Sequence, residues 1–83
     1  MAGLRFTQRA RRDIRKLSSE VKRKIEIALD ALIDDPTSGD LLHGDWKGYW
    51  KLRAGDYRII YKVLDAKIVE IQYVRHRRDA YRP

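Results

Sequence analysis

The stretch Tyr49-Trp50-Lys51-Leu52-Arg53-Ala54-Gly55-Asp56-Tyr57-Arg58-Ile59-Ile60-Tyr61-Lys62-Val63-Leu64 decides the fold. Its residues alternate in character on both sides of Gly55-Asp56, as in two half-buried strands. A glycine–aspartate pair between two such runs favours a tight hairpin, because glycine adopts the positive φ the turn demands. A two-residue turn here sets Arg53 opposite Arg58 and Lys51 opposite Ile60. Side chains alternate across a strand. Tyr49, Lys51 and Arg53 therefore point one way, and Trp50, Leu52 and Ala54 the other. On the second strand Tyr57, Ile59, Tyr61 and Val63 share one face, with Arg58, Ile60 and Lys62 opposed to it. Lys51, Arg53 and Arg58 are thus expected together on the exposed face of the sheet.

Working outward, Asp65-Ala66-Lys67 reads as a second turn and Ile68 to Arg75 as a third strand, with Val69, Ile71 and Tyr73 on its apolar face. Residues 37–48, which carry Gly39, Gly44 and Gly48, read as a loop. Ahead of the loop, Val21, Ile25, Ala28, Leu29, Leu32 and Ile33 form a helical apolar stripe, stopped at Asp34-Asp35-Pro36 because proline disfavours helical backbone in the residue before it. A shorter helix precedes it. Ala10, Ile14 and Leu17 make its apolar face, Arg9, Arg11, Arg12, Arg15 and Lys16 its basic surround, and Thr7 its N-cap. Ser18 or Ser19 caps the second helix. Leu4-Arg5-Phe6 reads as a short first strand. Helices of this length are marginal alone in water, so both are expected to cover the sheet. The expected class is α+β: a short N-terminal strand, a two-helix hairpin, then an antiparallel meander of about three strands, in one domain over residues 1–83.

Charge narrows the function. Nineteen Lys and Arg against twelve Asp and Glu leave a net charge of +7 in 83 residues. Such a balance favours polyanionic partners, nucleic acid first among them. There is no cysteine, which excludes disulfides and thiolate metal sites. The start of the chain lacks the apolar segment of a signal peptide, and no apolar run is long enough to span a membrane. A soluble protein of the cytoplasm is the expectation, with no membrane partner.

A cluster of cations on one sheet face repels itself unless it holds an anion. A phosphodiester is a natural guest, since fixed cations stabilise charge that develops during transfer at phosphorus. The terminal run Arg75-His76-Arg77-Arg78-Asp79-Ala80-Tyr81-Arg82 adds arginines, a histidine that can move protons near neutral pH, and a tyrosine that can stack on a base. RNA brings its own nucleophile, the 2′-hydroxyl, so neither metal nor cofactor is expected. No Ser-His-Asp spacing, phosphate-binding glycine loop or carboxylate cluster suggests another chemistry. Each feature also has a plainer reading: a solvated sheet face for Lys51 and Arg53, a basic tail for the terminus, a solvated loop residue for His43. Trp46 and Trp50 read as core or partner contacts, and Asp34-Asp35 as a helix end.

Taken together and in order, these segments resemble the RelE/ParE toxin superfamily. The likeness runs from Leu4–Phe6 through Arg15-Lys16-Leu17 and the Asp35-Pro36 stop to Leu42-His43-Gly44. Its strongest part is Arg53-Ala54-Gly55-Asp56-Tyr57-Arg58-Ile59-Ile60-Tyr61, and it closes with Val74-Arg75-His76-Arg77-Arg78-Asp79-Ala80-Tyr81.

The resemblance implies the toxin of a type II toxin–antitoxin system, a ribosome-dependent messenger RNA endonuclease that needs no metal. The implied partners are a RelB-like antitoxin and the message in the ribosomal A site, with no direct DNA binding by this chain alone. The resemblance assigns Lys51 and Arg53 to binding the RNA backbone and Arg58 to the charge developing at phosphorus. Arg75 or Arg77 is a second phosphate contact, His76 a proton shuttle, and Tyr81 a group that stacks on or bonds the nucleotide. Some family members carry a further lysine where this chain has Tyr49, which leaves Lys51 or His76 as acceptor of the 2′-hydroxyl proton. The superfamily also contains ParE-like poisons of DNA gyrase. A degenerate toxin that binds RNA and antitoxin without cutting is a third class.

Overall fold

The computed structural model describes residues 2–78. Strand β1 (Gly3–Phe6) leads into helix α1 (Gln8–Arg15) and helix α2 (Ser19–Asp34). Strands β2 (Asp40–Leu41), β3 (Trp50–Ala54), β4 (Tyr57–Asp65) and β5 (Ile68–His76) follow. The caps form as the sequence suggests. Thr7 accepts the Ala10 N–H at 3.0 Å, and Ser18 rather than Ser19 caps α2 by accepting the Val21 N–H at 3.3 Å.

The five strands form one sheet in the order β1-β5-β4-β3-β2. β1 runs parallel to β5, while from β5 through β4 and β3 to β2 each strand is antiparallel to its neighbour. The α+β class agrees with the sequence reading. The expected loop at 37–48 does contain two surprises, the short edge strand β2 and a 3₁₀ turn over Gly44–Trp46. Two residues of strand and one helical turn carry too little periodicity to be seen in a sequence.

The helices cover one face. Ile25, Ala28 and Leu32 of α2 and Ala10 of α1 pack with Ala54, Ile59, Tyr61, Val69, Ile71 and Val74, and Ile14, Leu17, Val21, Leu29 and Trp50 close the margins. Tyr61 is fully buried and stacks on Trp50, with ring centroids 6.1 Å apart. Its hydroxyl donates to the Pro36 carbonyl at 3.0 Å and accepts the Gly39 N–H at 3.1 Å, which ties the 36–39 segment to the sheet. Burial of this phenol pushes its pKa up to about 12; the nearby carboxylates Asp35 and Asp40 act the same way, against the Gly39 N–H. Gly39 is required by space. A Cβ there would collide with the Lys51 carbonyl and the Tyr61 hydroxyl.

One expectation about the sheet is corrected. Tyr73 does not share a face with Val69 and Ile71. The register passes from Ile60 opposite Tyr73 to Tyr61 opposite Ile71, which leaves Gln72 as an extra residue in β5. Such a bulge reverses the alternation beyond it. Val74 therefore enters the helix-side core, and Tyr73 and Arg75 turn to the open face.

α1 also guards a strand edge. β1 pairs with β5 only as far as Ile71, and the backbone of β5 beyond it would otherwise be open to pairing. Thr7 donates its hydroxyl to the Gln72 carbonyl at 2.6 Å, and Asp13 accepts the Val74 N–H at 3.0 Å.

Candidate nucleic-acid interface

The hairpin register puts three arginines side by side. Arg53 of β3 pairs with Arg58 of β4, and Arg58 pairs with Arg75 of β5. Like charges directly opposite each other weaken a sheet, so the row concentrates positive charge that acidic neighbours or a bound anion must offset. Lys51 lies one row further in, paired with Ile60, and β2 brings Asp40 beside it. A small cleft of about 80 Å³ is lined by Asp40, Lys51, Arg53 and Arg58. A second, of about 160 Å³, is lined by Arg53, Gly55, Asp56, Arg58 and Arg77. The Arg77 N–H is anchored to the Asp56 carbonyl at 2.7 Å, which places this arginine against the β3–β4 turn.

Arg75 belongs to the row by register, yet its guanidinium is committed. Its Nη1 lies 3.0 Å from Asp13 Oδ1, while the other oxygen of that carboxylate holds the Val74 N–H. Asp13 was not legible as a site residue. It is one acid among the arginines of α1, and its partners lie about sixty positions away in the chain.

His76 is not brought into this cluster. It pairs with Tyr57 on the helix side of the sheet, with its ring 5.3 Å from that of Tyr57 and its Nδ1 accepting the Arg78 N–H at 3.3 Å. Tyr81 lies outside the described residues. Of the remaining sequence candidates, the structure gathers Lys51, Arg53, Arg58 and Arg77 around two adjoining clefts, with Arg75 at their margin. Among the described residues, no three His, Asp or Glu side chains gather where a metal ion could sit.

Beside the row lies an aromatic group that the sequence reading did not bring together. Trp46 meets Tyr49 edge-on, with centroids 5.4 Å apart, and Tyr73 at 6.1 Å. Cations cover these rings, with Arg9 4.2 Å above Tyr73 and Lys62 4.4 Å above Tyr49. Trp50 is a helix-side core residue, as expected, but Trp46 stands on the open, basic face. The bulge at Gln72 turns Tyr73 toward it, and a bulge leaves no mark in a pattern of alternating residues.

The result is a small α+β domain with one face of its sheet covered by helices and the other rich in cations. Comparison with known proteins makes this specific. The family described as the ParE toxin of type II toxin–antitoxin systems matches residues 4–81. Toxin RelG of Mycobacterium tuberculosis is 37% identical over 82 residues, which cover 95% of this chain and 94% of that one. The toxin–antitoxin complex RelBE2 of M. tuberculosis contains a chain that superposes with a TM-score of 0.82 at 33% identity, covering 90% of this chain and 96% of the other. The isolated RelE toxin of Escherichia coli superposes with a TM-score of 0.75 at 28% identity, covering 100% of this chain and 88% of that toxin. The chain belongs to the RelE/ParE superfamily and is a RelE-type toxin of a type II toxin–antitoxin system. No helix among the described residues is long and apolar enough to cross a membrane.

Proposed function

We propose that this toxin is a messenger RNA endonuclease that works in the ribosomal A site without a metal: a 2′-hydroxyl loses its proton and attacks the adjacent phosphate, and the P–O bond to the 5′-oxygen of the next nucleotide breaks, that oxygen leaving as a 5′-hydroxyl. The observation that carries the proposal is the arginine row with Lys51 beside it. In-line attack needs a held phosphate, compensation for the charge that grows on its oxygens, and a group near the attacking 2′-oxygen. Arg53 and Arg77 flank the cleft and hold the backbone. Arg58 sits between them, half-buried, and faces the phosphoryl oxygens. Lys51 is the group we assign to the 2′-hydroxyl side. Arg75, held by Asp13, adds charge from the margin. His76 lies on the far side of the sheet and receives no step in this scheme. Tyr81 keeps the role of base contact that the family resemblance gives it.

A RelB-like antitoxin in the cytoplasm is the partner we assign. The M. tuberculosis and E. coli relatives are seen in toxin–antitoxin complexes, and the excess positive charge of this chain suits an acidic partner. A gyrase poison is the second reading, favoured by the description of the family that matches.

Message decay on programmed ribosomes tests the first reading against the second. The first predicts discrete cuts in the A-site codon, leaving a 2′,3′-cyclic phosphate, and no effect on gyrase supercoiling. An intact message together with inhibited supercoiling would reverse the assignment.

A further inference from the structure

We propose that Trp46, Tyr49 and Tyr73 form a subsite for one nucleobase of the RNA strand, next to the phosphate clamp. The inference rests on the reading that the arginine row holds RNA, and it adds where a neighbouring base goes.

Four observations point the same way. The three rings border an open pocket of about 280 Å³, lined also by Thr7, Arg9 and Gln72. That is just below the size range of drug-like ligand sites, roughly 300–1,000 Å³, and suits one flat heterocycle better than a larger molecule. Tyr73 and Ile60 lie one same-face step along β5 and β4 from Arg75 and Arg58. At about 3.3 Å per residue, that step is about 7 Å, on the scale of one nucleotide of extended strand. The pocket therefore falls where the base beside a clamped phosphate would come to rest.

The chemistry of the lining is that of single-strand recognition. Tyr73 is buried under Arg9 and backs the pocket, so a base would stack on the part-exposed Trp46 indole and against the planar Arg9 guanidinium, whose charge also suits a phosphate near by. Lys62 adds a second cation, over Tyr49. Gln72 contributes an amide, its Nε2 held by Glu70 Oε1 at 2.6 Å, to the pocket wall. The loop that carries Trp46 is shaped for the purpose. Gly44 and Gly48, both at positive φ, bracket the turn that sets the indole against Tyr49 and Tyr73.

The test uses the intact toxin and a nonamer of 2′-O-methyl RNA, whose blocked 2′-oxygens cannot attack. An abasic nonamer of the same sugar–phosphate backbone serves for comparison. The chain has two tryptophans, and Trp50 is on the opposite face of the sheet. The subsite predicts that Trp46 fluorescence is quenched by the nonamer and that Trp46→Phe removes the quenching while keeping most of the affinity. It also predicts that the abasic strand binds about 5- to 150-fold more weakly, the span of one base–aromatic stack. Trp46→Leu should weaken binding of the nonamer and leave binding of the abasic strand unchanged. That second comparison guards against a variant that is merely misfolded, which would lose both. Equal affinity for the two strands with no quenching would overturn the subsite and leave the phosphate clamp standing. Failure to bind either strand would overturn the claim that the arginine row holds RNA by itself, and the subsite with it, while leaving cleavage on the ribosome to its own assay.

Discussion

Replacing Asp13 should show how much of the β5 edge depends on one carboxylate. Its two oxygens do different work: one accepts the Val74 N–H at 3.0 Å, and the other meets Arg75 Nη1 at 3.0 Å. The Asp13 side chain is only 10% exposed, that of Arg75 31%. A hydrogen bond from a backbone donor to a shielded charged acceptor contributes about 1.5–3 kcal/mol. The ion pair, open to solvent on the arginine side, adds about 0.5 kcal/mol. Asp13→Ala removes both and should cost about 2–3 kcal/mol, from a total of about 4–12 kcal/mol for a chain this long. At about 4–8 °C per kcal/mol, the melting temperature should fall by about 8–24 °C. Asp13→Asn keeps an acceptor for Val74 but loses the charge, so it should cost about 1 kcal/mol. Urea melts of wild type, both variants and an Arg75→Ala double mutant would separate the terms. Asp13→Ala within about 0.5 kcal/mol of wild type would refute the assignment of this carboxylate as the clasp of the β5 edge.

Three further outcomes are expected. Gly39→Ala should destabilise by about 1–3 kcal/mol, because the added methyl group has to displace both the Lys51 carbonyl and the Tyr61 hydroxyl; a denaturation midpoint equal to wild type would contradict this. The raised pKa of Tyr61, about 12, means that the unfolded chain gives up this proton first, near pH 10. The contribution is therefore whole below pH 10 and is lost as pH climbs from 10 to about 12, so the wild type should lose more stability over that window than Tyr61→Phe does. Inorganic phosphate should raise the melting temperature above that in chloride of equal ionic strength, since it occupies the arginine row; the increment should shrink in Arg58→Ala, and equal melting in both salts would argue against an anion site.

The hairpin around Gly55-Asp56 was the most legible part of the chain, because turn chemistry and alternation agree there. The predicted partners Arg53–Arg58 and Lys51–Ile60 are those found. The caps and the α2 stripe were legible for the same reason, being local patterns. What escaped depends on long-range geometry. Asp13 meets Val74 and Arg75 only because α1 runs along an edge that β1 leaves unpaired. Tyr73 changes face at a one-residue bulge, and His76 takes the helix side while Arg75 and Arg77 take the other margin. The strand β2 follows from the close approach of Gly39 to Lys51, which brings Asp40 beside the basic cleft. None of these has a signature within a window of ten residues.

In the proposed function the arginine row stabilises charge at a scissile RNA phosphate, and Arg58 is at its middle. The single-turnover rate of message cleavage on programmed ribosomes, wild type against Arg58→Ala, tests this most directly. The wild type should cleave in the A-site codon, and the variant at a rate about 100- to 1,000-fold lower, the usual cost of deleting one group that stabilises transition-state charge. The variant should keep its fold and its antitoxin. Equal rates would contradict the role of the row, and a message left intact by the wild type would contradict the nuclease itself.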